Sequence, residues 1–254
     1  MQEFNLLLLL PLLLGLTACG SLKNSSAMKP SQTAQKFSLE RKKVLSADYL
    51  LFLPEGYGAE ATKRWPLILF LHGAGERGDN IWLVAKHGVP KIDTQQTSFP
   101  FIVAAPQCPP KKIWSNDLLL ALLDEVETKY AVDTQRVYLT GLSMGGYGTW
   151  SLGLSRPERF AAIAPICGGG ERIAVLLPDP KKKEALKSLG VWAFHGAKDP
   201  VVEVEESERM VKALRKAGCT DVELTVYPDA KHDAWTETYA NPKLYDWFLQ
   251  HQRP

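Results

Sequence analysis

Apolar positions along this chain alternate between short unbroken runs and helical spacings. Trp65–Leu71 (W-P-L-I-L-F-L) is continuous apolar sequence, the pattern of a strand covered on both faces. Phe101–Ala105, Val137–Thr140, Phe160–Ile166 and Val191–Phe194 read the same way. Val222–Tyr227 alternates, which predicts a strand nearer a sheet edge. Phe37–Arg41 and Asp48–Leu53 predict two more, as an antiparallel start. Between these runs, Leu118, Leu119, Leu122, Leu123 and Val126 recur at helical spacing behind Ser115 as the cap. Glu205–Lys216 carries Met210, Val211 and Leu214 on one face and stops at Gly218. Leu244–His251 closes the chain as a helix. Strands alternating with helices predict an α/β fold, with a mostly parallel central sheet of about eight strands and helices on both faces. Right-handed crossovers place the strand-to-helix loops on one edge, after His72, Cys108, Gly141, Cys167, His195 and Pro228. The stretch from Gly168 to Gly190 has room for a small flap and no large lid.

The first residues follow a different pattern. Leu6–Leu16 is almost pure leucine, broken by Pro11 and Gly15, too short to span a bilayer comfortably and of the length of a signal-peptide core. It runs into Leu16-Thr17-Ala18-Cys19-Gly20, which resembles the lipobox of bacterial lipoproteins. The resemblance implies a leader over residues 1–18, lipid attachment at Cys19, export, and a membrane-anchored protein of the outer membrane, periplasm or cell surface. An ordinary signal peptide cut nearby and a mis-called start site are the other readings. Residues 19–35, rich in Ser, Lys, Thr and Ala, then read as a flexible tether, and residues 36–254 as one catalytic-sized domain.

Net charge is +2, and no basic stripe with interleaved aromatics occurs, so a nucleic-acid partner is not expected. No C-x-x-C spacing or histidine cluster points to a metal site. With Cys19 lipidated, Cys108, Cys167 and Cys219 remain. Cys108 and Cys167 both follow apolar strands, which leaves a bridge between them open.

The candidate chemistry centres on Gly141-Leu142-Ser143-Met144-Gly145, between the apolar run ending at Thr140 and a helix-like stretch beginning at Gly146. Strand, tight turn with serine at its apex, then helix is the context of a nucleophile elbow. A serine hydroxyl needs a base in hydrogen-bond reach, and that base needs an orienting acid. Downstream, in the order this fold expects, come Asp199 in His195-Gly196-Ala197-Lys198-Asp199 and His232 in Lys231-His232-Asp233-Ala234-Trp235. Asp229 and Asp233 compete with Asp199 for the acid role. His72 and His195 each precede a glycine and read as loop-shaping residues, and His87 and His251 as solvent-side ones. The oxyanion donors expected are the N–H of Met144 and, from the glycine-rich loop Leu71–Gly78, the N–H of Ala74, with Gly73 and Gly75 as alternates. Trp114 and Trp235 are candidates to stack on a substrate, against core packing as the plainer reading.

L-H-G-A-G-E-R-G, R-V-Y-L-T-G-L-S-M-G-G, H-G-A-K-D and H-D-A-W together resemble serine esterases of the α/β-hydrolase superfamily. The likeness is to the group near carbohydrate esterase family 1, polyhydroxybutyrate depolymerases and dienelactone hydrolases. The resemblance implies a cofactor-free serine carboxylic-ester hydrolase acting on short-chain or aromatic (acetyl or feruloyl) esters, small or linked to polysaccharide. The rival readings are a serine peptidase of the prolyl oligopeptidase type and a non-catalytic, lipid-anchored binding protein.

Overall fold

The computed structural model describes residues 44–93 and 99–254. The leader, Cys19, the tether and the strand expected at Phe37–Arg41 lie outside them. Among the described residues seven strands form one sheet: β1 (Tyr49–Phe52), β2 (Trp65–Leu71), β3 (Ile102–Pro106), β4 (Val132–Leu142), β5 (Ala162–Ile166), β6 (Gly190–Gly196) and β7 (Val222–Tyr227). Their order is β1-β3-β2-β4-β5-β6-β7, with β1 antiparallel to β3 and the rest parallel. The mostly parallel α/β sheet read from the sequence is therefore present.

Helices cover both faces. α2 (Asn116–Lys129), α3 (Met144–Ser155) and α6 (Glu205–Lys216) pack on one. There Leu119, Leu122, Leu123 and Val126 of α2 and Met210, Val211 and Leu214 of α6 join Leu67, Leu69 and Leu71 of β2 in one buried cluster. α1 (Gly88–Asp93), α7 (Trp235–Ala240) and α8 (Pro242–Gln250) take the other, where Tyr239, Leu244, Trp247 and Phe248 meet Ile68 and Phe70. The alternating sides of β2 thus serve two cores, as a doubly covered strand requires. Ser115 holds the cap position of α2, but its side chain makes no capping bond; its carbonyl accepts from Leu119 N–H at 3.0 Å. Gly218, just past α6, has φ +90°, a backbone that favours glycine.

The stretch after β5 folds into two short helices, α4 (Arg172–Leu176) and α5 (Lys183–Ser188). Val175 and Leu186 sink into the core beneath them, so this segment is a docked flap and not a separate lid. Cys108, Cys167 and Cys219 are free thiols. Cys108 belongs to the cluster on one sheet face and Cys167 to that on the other, which disposes of the bridge left open between them.

Register decides where chemistry can gather. Leu71 pairs with Gly141, Leu142 with Ile166, Ile166 with Phe194, and Gly196 with Tyr227. The carboxyl ends of β2, β4, β5, β6 and β7 therefore stop level with one another, and the loops that follow share one edge.

Candidate active site

Ser143 stands between β4 and α3 with φ 53° and ψ −116°, a left-handed backbone that costs a non-glycine residue about 1–3 kcal/mol. Its surroundings hold it there. Its N–H donates to the Ile166 carbonyl at 2.9 Å, and its carbonyl accepts from Tyr147 N–H at 3.0 Å. The turn is tight enough that a Cβ on Gly145 would overlap the Leu71 carbonyl oxygen, and one on Gly141 would lie 2.5 Å from the Gly145 carbonyl oxygen. Glycine at both positions is what lets α3 start against the end of β2.

The structure brings Ser143, His232 and Asp199 into one hydrogen-bonded line. His232 Nε2 is 2.9 Å from Ser143 Oγ, and His232 Nδ1 donates to Asp199 Oδ2 at 2.7 Å. With the proton on Nδ1, the Nε2 lone pair of the neutral ring faces the serine hydroxyl. The other Asp199 oxygen accepts from Val201 N–H at 2.8 Å and Val202 N–H at 3.0 Å. The Asp199 side chain is shielded from solvent. Burial pushes its carboxyl up, but the His232 hydrogen bond and the Val202 and Val201 amides more than offset this and hold it below the usual carboxylate range. Of the competing acids, Asp229 points to solvent, 91% exposed and paired with Lys198 at 2.6 Å, and Asp233 is exposed.

A depressed carboxyl is a stability statement. The native state favours ionised Asp199, so its contribution is complete above the ordinary carboxylate range and is lost as pH falls through the lower, folded-state value. Urea midpoints between about pH 5 and about pH 2 should therefore fall more steeply for the wild type than for Asp199→Asn. Equal slopes would contradict the ionised, hydrogen-bonded aspartate.

Behind the acid lies a second histidine that sequence reasoning took only as a loop former. His195 is fully buried. Its Nε2 donates to the Val202 carbonyl at 2.9 Å and sits 3.3 Å from Asp199 Oδ2, and its Nδ1 is 2.7 Å from Ser207 Oγ. Cys167, also at positive φ (48°), packs beside them, its thiol pushed up to about 12 by burial and by the nearby Asp199. Cys167, His195 and Asp199 present potential metal-ligating atoms within 4.8 Å of one another. Yet the thiol holds its proton, the ring its carbonyl and the carboxylate its imidazole, so the set is already used.

The two candidate oxyanion donors lie at helix starts. Met144 is the first residue of α3, and Ala74 the first of a 3-10 turn, Ala74–Glu76, positions whose N–H groups have no partner within the helix. A Cβ on Gly73 would come within 2.8 Å of Leu142 Cδ1, so this loop rests on the end of β4. Buried His72 braces it: Nε2 accepts from Cys108 N–H at 2.9 Å and Nδ1 donates to the Gly73 carbonyl at 2.6 Å. Burial holds this imidazole below its ordinary value, ahead of the opposing Gly73 carbonyl and Glu76, which suits a ring that must accept at Nε2.

A cavity of about 870 Å³ opens at Ser143, walled by Met144, Tyr147, Gly148, Trp150 and Leu154 of α3, by Ile113 and Trp114, and by Gly169, Gly170, Glu171 and Ala174, with Asn116, Ser151 and Ser155 among its polar members. Trp114 is in this wall, although its indole also donates to the His72 carbonyl at 3.2 Å and packs edge-on against the His72 ring. Trp235 is outside the wall. Its ring meets His232 edge to face, centroids 5.1 Å apart, so it supports the imidazole. Trp150 is fully buried, and its Nε1–H has no partner among the described residues.

Against known proteins, residues 35–246 match the dienelactone hydrolase family. The chain is 24% identical over 227 residues to the protein named Probable feruloyl esterase C of Aspergillus terreus, covering 84% of this chain and 78% of that one. The crystal structure of a thermostable esterase superposes with a TM-score of 0.64 at 35% identity, over 81% of this chain and 59% of that one. A ferulic acid esterase structure shares the fold, with a TM-score of 0.59 at 19% identity over 78% of this chain and 89% of that one.

Proposed function

The chain belongs to the dienelactone hydrolase family and is a carboxylic ester hydrolase, and we propose that it works through an acyl-enzyme on Ser143. The observation that carries this reading is the line from Ser143 Oγ to His232 to Asp199, at 2.9 and 2.7 Å. His232 Nε2 takes the hydroxyl proton as Oγ bonds to the ester carbonyl carbon. The carbonyl π pair moves onto oxygen, and the N–H groups of Met144 and Ala74 stabilise that charge. Collapse breaks the bond to the alcohol oxygen, which leaves with the proton from His232. Water then attacks the acyl-serine, His232 again acting as base, and the free acid departs.

Asp199 stays ionised throughout, because its amide donors and shielded position favour the carboxylate, and it holds the ring with Nε2 toward the serine. The substrates proposed are short-chain or aromatic esters, small or polysaccharide-linked. The largely apolar cavity and the similarity to a feruloyl esterase support the aromatic arm of this class. A fluorophosphonate probe should label the wild type and not Ser143→Ala, and 4-nitrophenyl acetate should be cleaved while peptide anilides are not. Cleavage of the anilides would favour a peptidase, and absence of both labelling and hydrolysis would favour a binding protein.

A further inference from the structure

The cavity wall has an asymmetry that assigns its contents. It contains Ser143 and Met144 but neither His232 nor any residue of its loop. In the mechanism above, which this inference takes as its premise, the leaving alcohol must stay at His232 Nε2 to receive its proton. The group extending into the cavity is then the acyl chain.

That cavity carries a hydrogen-bonding group far from the nucleophile. Asn116, the first residue of α2, donates through Nδ2 to Ser151 Oγ at 3.1 Å and to Ser155 Oγ at 3.2 Å. Ser155 Oγ donates in turn to the Leu152 carbonyl at 3.0 Å. These bonds occupy both Asn116 amide protons and the Ser155 hydroxyl proton. The groups left with spare capacity are the Ser151 hydroxyl proton and Asn116 Oδ1, which share one long contact of 3.4 Å. One donor and one acceptor side by side are the complement of a hydroxyl group, which both accepts and donates.

Ser151 lies eight residues along the helix from Ser143, about 12 Å at 1.5 Å per residue. Allowing about 3 Å for the terminal hydrogen bond leaves about 9 Å for the acyl group. A three-carbon arm bearing a ring oxygenated at the para position has that length. Between Ser143 and Ser151, α3 contributes Tyr147 and Gly148 to the wall, with the Trp114 ring against Gly148, which suits a flat apolar body.

We propose that Asn116 and Ser151 form a distal acyl subsite that selects a hydroxyl at the far end of an elongated acyl group. The test compares methyl esters of 3-(4-hydroxyphenyl)propanoate, its 4-methoxy analogue and 3-phenylpropanoate. For the wild type, kcat/KM should be about fivefold higher with the hydroxyl than with hydrogen, since a single neutral hydrogen bond at a partly solvated site is of modest net strength. The methoxy ester should fall between, because it can only accept. In Ser151→Ala the hydroxyl-to-hydrogen ratio should approach one. That substitution is at an exposed helical position where alanine favours the helix, so the variant should fold, and the ratio within one variant is insensitive to overall activity.

Calorimetric binding of the corresponding free acids to Ser143→Ala, with and without Ser151→Ala, should show the same preference without any catalysis. A failure of the esterase reading would leave that binding preference in place. Equal rates and equal affinities for the hydroxylated and unsubstituted compounds in wild type, or a preference that survives Ser151→Ala in both measurements, would overturn the subsite.

Discussion

His232→Ala should lower kcat/KM for 4-nitrophenyl acetate by about 10⁶-fold, the order seen when a serine hydrolase loses its triad histidine. The size follows from the geometry. Ser143 Oγ has its base at 2.9 Å in His232 Nε2, and the other nearby imidazoles are committed elsewhere. His72 accepts from Cys108 N–H, and His195 donates to the Val202 carbonyl. Neither has a lone pair to offer the serine. Asp199→Asn should cost less, about 10³–10⁴-fold, because the ring remains but the amide no longer selects the Nδ1–H tautomer as a carboxylate does. Both variants should keep the wild-type far-UV spectrum, since His232 and Asp199 stand on loops beyond β7 and β6. A folded His232→Ala protein within tenfold of wild type would remove the histidine from the mechanism.

Much of this arrangement was legible in the residues, for reasons that are local. β2 and β3 are unbroken apolar runs because both faces are covered, and α6 follows a 3.6-residue repeat that ends at a glycine with positive φ. The elbow at Ser143 could be read because its glycines answer a steric demand within five residues of chain. Where demands come from across the molecule, the sequence is silent. β4 starts at Val132, five residues before the apolar run at Val137, because backbone pairing at Trp65↔Val132 carries the strand through Asp133, Thr134 and Gln135, whose side chains leave no apolar signature. His195 looked like a loop former because its partners Ser207 and Val202 belong to a helix and a turn that only the fold brings back. Trp114 and Trp235 have the same composition-level signal, yet one walls the cavity and the other steadies His232. The cavity itself depends on Val175 and Leu186 docking the segment after β5, a long-range event that no spacing within that segment announces.

Gly145→Ala should be the most damaging single methyl group in the chain, destabilising the fold by about 4 kcal/mol or more and lowering Tm by about 10 °C for a domain of this size. An added Cβ there would overlap the Leu71 carbonyl oxygen and lie 2.8 Å from the His72 carbonyl oxygen. Both obstacles are backbone, so no side-chain rotation relieves them. β2 is fully buried and paired on both sides, which leaves it no direction in which to give way. The elbow must therefore withdraw from the loop that carries Ala74. That separation opens the space between the Ala74 and Met144 amides, so the protein that still folds should lose most of its turnover. Gly75→Ala is the matched control in the same region: a Cβ there meets nothing within 4 Å, and its effect should stay within about 0.5 kcal/mol. Thermal melts of the pair decide the matter. A Gly145→Ala protein melting within about 3 °C of wild type, and thus near the Gly75→Ala control, would show that the elbow tolerates distance from β2. The close contact would then have no part in building the oxyanion site.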